Sequence, residues 1–170
     1  TAIAADTATF DEETPMSMFT TCLWFDGKAQ EAAEFYVSVF PNSSLDGLEY
    51  YPEGSRGEAG SVLTASFTLD GQKFIGLNGG PHFTFSEAVS LQIPCTTQAE
   101  IDHYSDLLTA DGGEESMCGW LKDKFGFSWQ VVTAGPIFDG TPEENARMNE
   151  ALMSMRKLDL EALAAAKRGD

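Results

Sequence analysis

SMFTTCLWFDGKAQEAAEFYVSVFPN, residues 17–42, is the stretch whose reading decides the fold. Ser17–Phe25 is apolar and rich in β-formers, which predicts a strand. Asp26-Gly27 breaks it. Between Lys28 and Phe40 apolar residues recur at helical spacing (Ala29, Ala32, Ala33, Tyr36, Val37, Phe40), which predicts a helix with one buried stripe. Pro41-Asn42 ends that helix. Further out, Ser44–Tyr51 reads as a strand and Pro52–Gly60 (PEGSRGEAG) as a flexible loop. Ser61–Leu69 alternates in strand fashion, Asp70-Gly71 is a hairpin turn, and Gln72–Asn78 returns. Residues 16–79 therefore form one β-α-β-β-β module.

The same order repeats after a linker at residues 80–85. In the second module, residues 86–134, Ser86–Ile93 reads as a strand. Thr97-Gln98-Ala99-Glu100 has the form of a capping box. The helix behind it presents Ile101, Tyr104, Leu107 and Leu108 on its apolar side and stops before Gly112-Gly113. Short strands follow at Glu114–Cys118 and Trp120–Lys122, then a longer one at Phe127–Thr133. At an offset of 68, Leu23 matches Leu91, Phe25 matches Ile93, Gln30 matches Gln98, Tyr36 matches Tyr104 and Phe40 matches Leu108. A unit this long that occurs twice is a duplicated module, not a solenoid. The fold class is α+β: two βαβββ modules forming curved mixed sheets, with the ligand cavity expected inside them. A C-terminal helical extension covers residues 141–168. Thr141-Pro142-Glu143-Glu144 caps it, and Met148, Ala151, Leu152 and Met155 line one face. That face has two readings, packing on its own domain or on a partner subunit.

Composition bounds the function. Net charge is −17, from 27 acidic against 10 basic residues, which repels nucleic acid. It is read either as a solvated acidic surface, as a field attracting a cationic ligand, or as adaptation to a salty habitat. No apolar run is long enough for a bilayer, so no membrane partner is expected. Residues 1–15 read as a flexible acidic tail without the basic start and apolar centre of a signal peptide. Three cysteines without a CxxC pair fit a reducing, cytoplasmic compartment.

Several segments carry a family resemblance: CLWFDG (22–27), FYVSVFP (35–41), GSVLTASFTLDGQ (60–72), LNGGPHF (77–83), GGEES (112–116) and CGWLKDKFGFSWQVV (118–132). Together they resemble the PhnB-like proteins, the branch labelled 3-demethylubiquinone-9 3-methyltransferase, within the vicinal oxygen chelate superfamily of glyoxalases, bleomycin-resistance proteins and dioxygenases. The resemblance implies that fold and a homodimer, with the modules paired within one chain or swapped between chains. It does not carry methyl transfer. A methyltransferase that uses S-adenosylmethionine places a Gly-rich turn between a strand and a helix of a parallel sheet, whereas Gly71, Gly79-Gly80 and Gly112-Gly113 here mark hairpins and linkers.

Metal-dependent members of the superfamily resemble one another in drawing His, Glu or Gln ligands from the first and last strands of each module. Here Ser17–Phe25 and Gln72–Asn78 contain no His, Asp or Glu, Ser86–Ile93 offers Glu87 and Gln92, and the last strand offers Gln130, which falls where the superfamily often has a Glu. No metal and no other cofactor is therefore expected, and a divalent ion is disfavoured. The pocket candidates are Trp24, Asn78, His82, Phe83, Glu87, Glu115, Cys118, Trp120, Trp129 and Gln130. The aromatics suit an apolar pocket with a few polar groups. His82 reads as a loop hydrogen-bonder or a ligand contact, and His103 as a surface residue. Only one of Glu114 and Glu115 can point inward. Cys118 reads as a structural thiol, with no activating base nearby in sequence. The function expected is small-molecule binding with a degenerate metal site and no assignable reaction. The alternative is a lyase, isomerase or dioxygenase with an atypical site.

Overall fold

Local signals place most elements. Asp70 and Gly71 adopt positive φ (43° and 79°), as a two-residue hairpin turn requires, and join β3 (Val62–Leu69) to β4 (Gln72–Asn78). Thr97 and Glu100 form a reciprocal capping box at the start of α2 (Gln98–Thr109), as do Thr141 and Glu144 at α3 (Pro142–Ser154). The computed structural model describes residues 18–170, so the acidic stretch at residues 1–15 lies outside the described residues. The first module comprises β1 (Thr21–Phe25), α1 (Ala29–Val39), β2 (Ser44–Tyr50), β3 and β4. The second comprises β5 (Ser90–Cys95), α2, β6 (Glu114–Glu115), β7 (Trp120–Lys122) and β8 (Ser128–Thr133). Helix α4 (Leu160–Arg168) follows α3.

Two four-stranded mixed sheets result, ordered β1-β4-β3-β2 and β5-β8-β7-β6. The first and last strands of each module pair in parallel, and the others are antiparallel. The duplication is thus visible as one topology used twice. Each helix covers one face of its own sheet. Ala29, Ala32, Ala33 and Tyr36 of α1 are buried together with Phe67 and Phe74, and Ile101 and Leu108 of α2 together with Leu121 and Val131. The two helical sides then meet: Tyr36 packs on Trp129, and Phe40 stacks on Tyr104 and Trp129. One core joins both modules, and the opposite face of each sheet is left outside it. The C-terminal helices pack on their own chain, with Leu152, Leu158 and Leu163 in the core. Gln98 holds them there, donating to Leu158 O and accepting from Leu160 N at 2.9 Å each. No helix among the described residues is long and apolar enough to cross a membrane.

Four sequence expectations need correction. Of the strand expected over Ser17–Phe25, Ser17 lies outside the described residues and the described part begins at Thr21, because β4 starts at Gln72 and Thr21 already pairs with Phe74. Met18 and Phe19, with no strand beside them, are 88% and 78% exposed. The strand expected over Ser86–Ile93 runs from Ser90 to Cys95. Pro94 does not end it, since β5 is an edge strand with a ladder on one side only, and Glu87 therefore sits in a turn. The strand expected over Glu114–Cys118 is only two residues long, because Cys118 turns at φ 58° and the N–H groups of Cys118 and Gly119 bond Met155 O and Arg156 O instead. In α2, Leu107 is exposed and Ser105 holds the buried position between Ile101 and Leu108.

Candidate functional site

Strand alternation divides the residues of each sheet. In the first sheet Leu23, Phe25, Phe67 and Phe74 point at the helix and are buried, which puts Cys22, Trp24, Ile75 and Leu77 on the open face. In the second sheet the open face carries Ser90, Gln92, Trp120, Lys122, Ser128 and Gln130 by the same register. Gln130 lies between Gln92 and Trp120. It donates to Ser90 Oγ at 2.7 Å and accepts from Gln92 Nε2 at 3.2 Å. The face thus holds amides and hydroxyls that largely satisfy one another. Ser128, 1% exposed, keeps a buried Oγ with no partner among the described residues. Glu87 pairs with Lys122 across this face, and the pair holds the carboxyl below its ordinary range and the ammonium above it.

The chain ends of the first sheet form a cleft of about 620 Å³, lined by Trp24, Asp26, Tyr51, Arg56, Asn78 and His82 among others. Its walls are held from within. Trp24 Nε1 donates to Gly80 O at 2.8 Å. Gly79 lies against the indole so closely that a methyl group there would overlap it. Tyr51 Oη donates to Asn78 O. Both ends of the Asn78 amide are used, by Ala29 N and Val62 O at 2.9 Å each. Three groups lining the cleft have no partner among the described residues: the Arg56 guanidinium, the His82 imidazole and the Asp26 carboxylate.

The other candidates lie elsewhere. Phe83 is exposed and packs edge-on against Trp24, lining a neighbouring cleft of about 610 Å³. Glu87, Glu115 and Trp120 line a smaller hollow of about 260 Å³ above Ser128. Cys118 faces α3, with Sγ 3.5 Å from Leu152 O and 3.7 Å from Met153 Sδ. Trp129 is a core residue. Its Nε1 donates at 2.8 Å to Asp123 Oδ2. The structure therefore brings Trp24, Asn78 and His82 together, sets Glu87, Glu115, Trp120 and Gln130 on or beside the second sheet's open face, and takes Trp129 and Cys118 into packing. Among the described residues no three His, Cys, Asp or Glu side chains converge as metal ligands, and His103 is exposed on α2.

Sequence reading passed over four residues. Arg56 and Tyr51 belong to or adjoin a Gly-rich loop read only as flexible. Asp26 was read only as a strand breaker. Asp123 is 2% exposed and accepts from Tyr36 Oη, Trp129 Nε1, and the backbone N–H groups of Phe125 and Phe127. Burial pushes its carboxyl up against the pull of those hydrogen bonds. The Tyr36 hydroxyl is raised well above its ordinary range by burial, then by the Asp123 charge and hydrogen bond. A lone acid inside an aromatic run, WLKDKFGFSW, is the signal that marks Asp123.

Comparison with known proteins follows the same outline. A family model described as 3-demethylubiquinone-9 3-methyltransferase matches residues 17–132. A PhnB protein from Bacillus cereus is similar at 39% identity, covering 69% of this chain and 100% of that one, with a TM-score of 0.63. A protein from Pseudomonas aeruginosa shares the fold at 18% identity, covering 68% and 96%, with a TM-score of 0.55. A FosX fosfomycin resistance protein from Listeria monocytogenes matches at 15% identity, covering 71% and 93%, with a TM-score of 0.49. None of the curated proteins matches this chain.

Proposed function

The chain belongs to the family described as 3-demethylubiquinone-9 3-methyltransferase, of the vicinal oxygen chelate superfamily, and from that premise we propose that it binds a small organic molecule in the cleft beside Trp24, with no resident metal and no assigned reaction. The carrying observation is the preformed cleft of about 620 Å³, whose aromatic walls are fixed by their own hydrogen bonds. Concave sites of this size with few free polar groups are the usual form of small-molecule sites. The donor set supports the metal-free reading. On the second open face, at Gln130, stand neutral amides already bonded to each other, a poor match for a divalent ion that wants imidazole, thiolate or carboxylate. Methyl transfer draws no support from Gly71 at the β3–β4 hairpin, Gly79 and Gly80 in the linker, or Gly112 and Gly113 after α2.

The rest of the reading is a cytoplasmic homodimer. Free thiols at Cys22, Cys95 and Cys118 suit a reducing compartment. A second copy would cover the edge strands β1, β2, β5 and β6, which a single chain leaves unpaired on one side.

A fragment screen read by the indole and backbone N–H resonances tests the binding site. Hits are expected to shift Trp24 and Gly79 saturably while leaving the core Trp129 unmoved. A screen whose binders never move Trp24 sinks the assignment. Elemental analysis of protein purified without chelator tests the metal: one divalent ion per chain would overturn the metal-free reading.

A further inference from the structure

In this chain 27 acids face 10 bases, so a cation without a partner is unusual. Lys28, Lys122, Lys157, Lys167 and Arg168 are in ion pairs. Lys124 lies over the rings of Phe35 and Phe125, and Arg147 bonds the carbonyls of Ala166 and Lys167. Arg56 and Arg156 have no such partner among the described residues, and of the two Arg56 lines the cleft beside Trp24.

The loop that carries Arg56 is tied down. Tyr51 N donates to Ser61 O at 2.9 Å and Gly60 N to Tyr51 O at 3.0 Å, closing the loop at its base. Gly57, the next residue, lies flat on the Tyr51 ring, where a Cβ would come within 2.5 Å of it. Only glycine fits there, so the backbone next to Arg56 rests on a ring that is itself fixed to Asn78. His82 also lines the cleft, on a linker pinned to Trp24 through Gly80.

We propose that the cleft selects a small aromatic carboxylate, held by Arg56 and His82 between the Trp24 and Tyr51 rings; this rests on the small-molecule reading above. The physical reasons are three. A guanidinium fork matches a carboxylate with two parallel N–H···O bonds. Apart from Asp26, the polar groups of the wall named above are spent internally, so the ligand's charge meets Arg56 and His82. The indole and phenol offer flat apolar surface for a ring. Asp26, also without a partner, lines the same cleft and repels a second negative charge, which limits the ligand to a monoanion.

Chemical-shift titration of the full chain with benzoate and with its neutral isostere benzamide tests the charge selection. Benzoate is expected to bind about tenfold or more tightly than benzamide, the worth of one charge-assisted pair. Arg56→Gln is expected to abolish that preference. Asp26→Asn is expected to strengthen benzoate severalfold and leave benzamide unchanged, an opposite sign that a merely structural role would not produce. Both side chains are at the surface, so both variants fold. If benzamide binds as well as benzoate, or if Arg56→Gln changes nothing, the anion selection is overturned while the binding reading stands. If neither compound binds, the anion selection falls and the cleft loses its support as the ligand site.

Discussion

Tyr36 Oη donates to Asp123 Oδ2 at 2.7 Å, across 87 residues of sequence, and fastens the helix of the first module to the β7–β8 turn of the second. The same carboxylate accepts Trp129 Nε1 and two backbone N–H groups. It is the one acid among the described residues buried to this degree.

Removing either partner is expected to loosen the join between the modules. Tyr36→Phe loses one hydrogen bond to a charged group, about 1.5–3 kcal/mol. Asp123→Asn costs at least as much, because its NH₂ would face donors. Urea denaturation measures both. A loss under about 0.5 kcal/mol, within the range of ordinary surface substitutions, would show that the contact contributes nothing net.

Acid sensitivity is expected at the helix caps. Thr96 and Thr97 hydrogen-bond the Glu100 carboxylate and hold it below its ordinary range. A carboxyl depressed in the folded state stabilises above its unfolded value, about 4.3, and that stability is lost as pH falls through the folded value. Glu100→Gln should flatten this part of the stability–pH curve while matching the wild type more closely in acid. Parallel curves at all pH values would refute it.

Gly79→Ala would drive a methyl group into the Trp24 indole. Overpacking of this kind costs about 1–3 kcal/mol, and the displaced indole should change the tryptophan emission. An unchanged spectrum and melting temperature would mean that the linker does not rest on Trp24.

The thiols should separate by accessibility. Cys22 is exposed, whereas burial, followed by the Glu100 charge, pushes the buried Cys95 thiol up to about 11. Alkylation at pH 8 followed by mass spectrometry should modify Cys22 in the native protein and reach Cys95 only after unfolding. Equal rates would contradict the burial of β5.

What could be read in advance was local. The Asp70-Gly71 turn, the capping boxes at Thr97 and Thr141 and the stripe Ala29–Tyr36 each depend on neighbours within a few residues, so the duplicated β-α-β-β-β order was legible before any contact was known. Strand pairing was not local, and the reading therefore ended β5 at Ile93, before Pro94, and ran β1 back to Ser17. Trp24, Trp120 and Trp129 look alike in a row of letters. Their fates diverged because α1 of one module packs on β8 of the other, which buries Trp129 with Tyr36 and leaves Trp24 to wall a cleft. Arg56 shows the same limit. Whether a loop cation finds a carboxylate depends on which surfaces the fold brings together, and no spacing along the chain encodes that. By itself, then, the sequence determined the modules, their order and the family, because turns, caps and periodicity are near-neighbour physics. The tertiary structure alone decided which aromatics and charges share a cleft, because burial and charge pairing are properties of segments far apart in the chain.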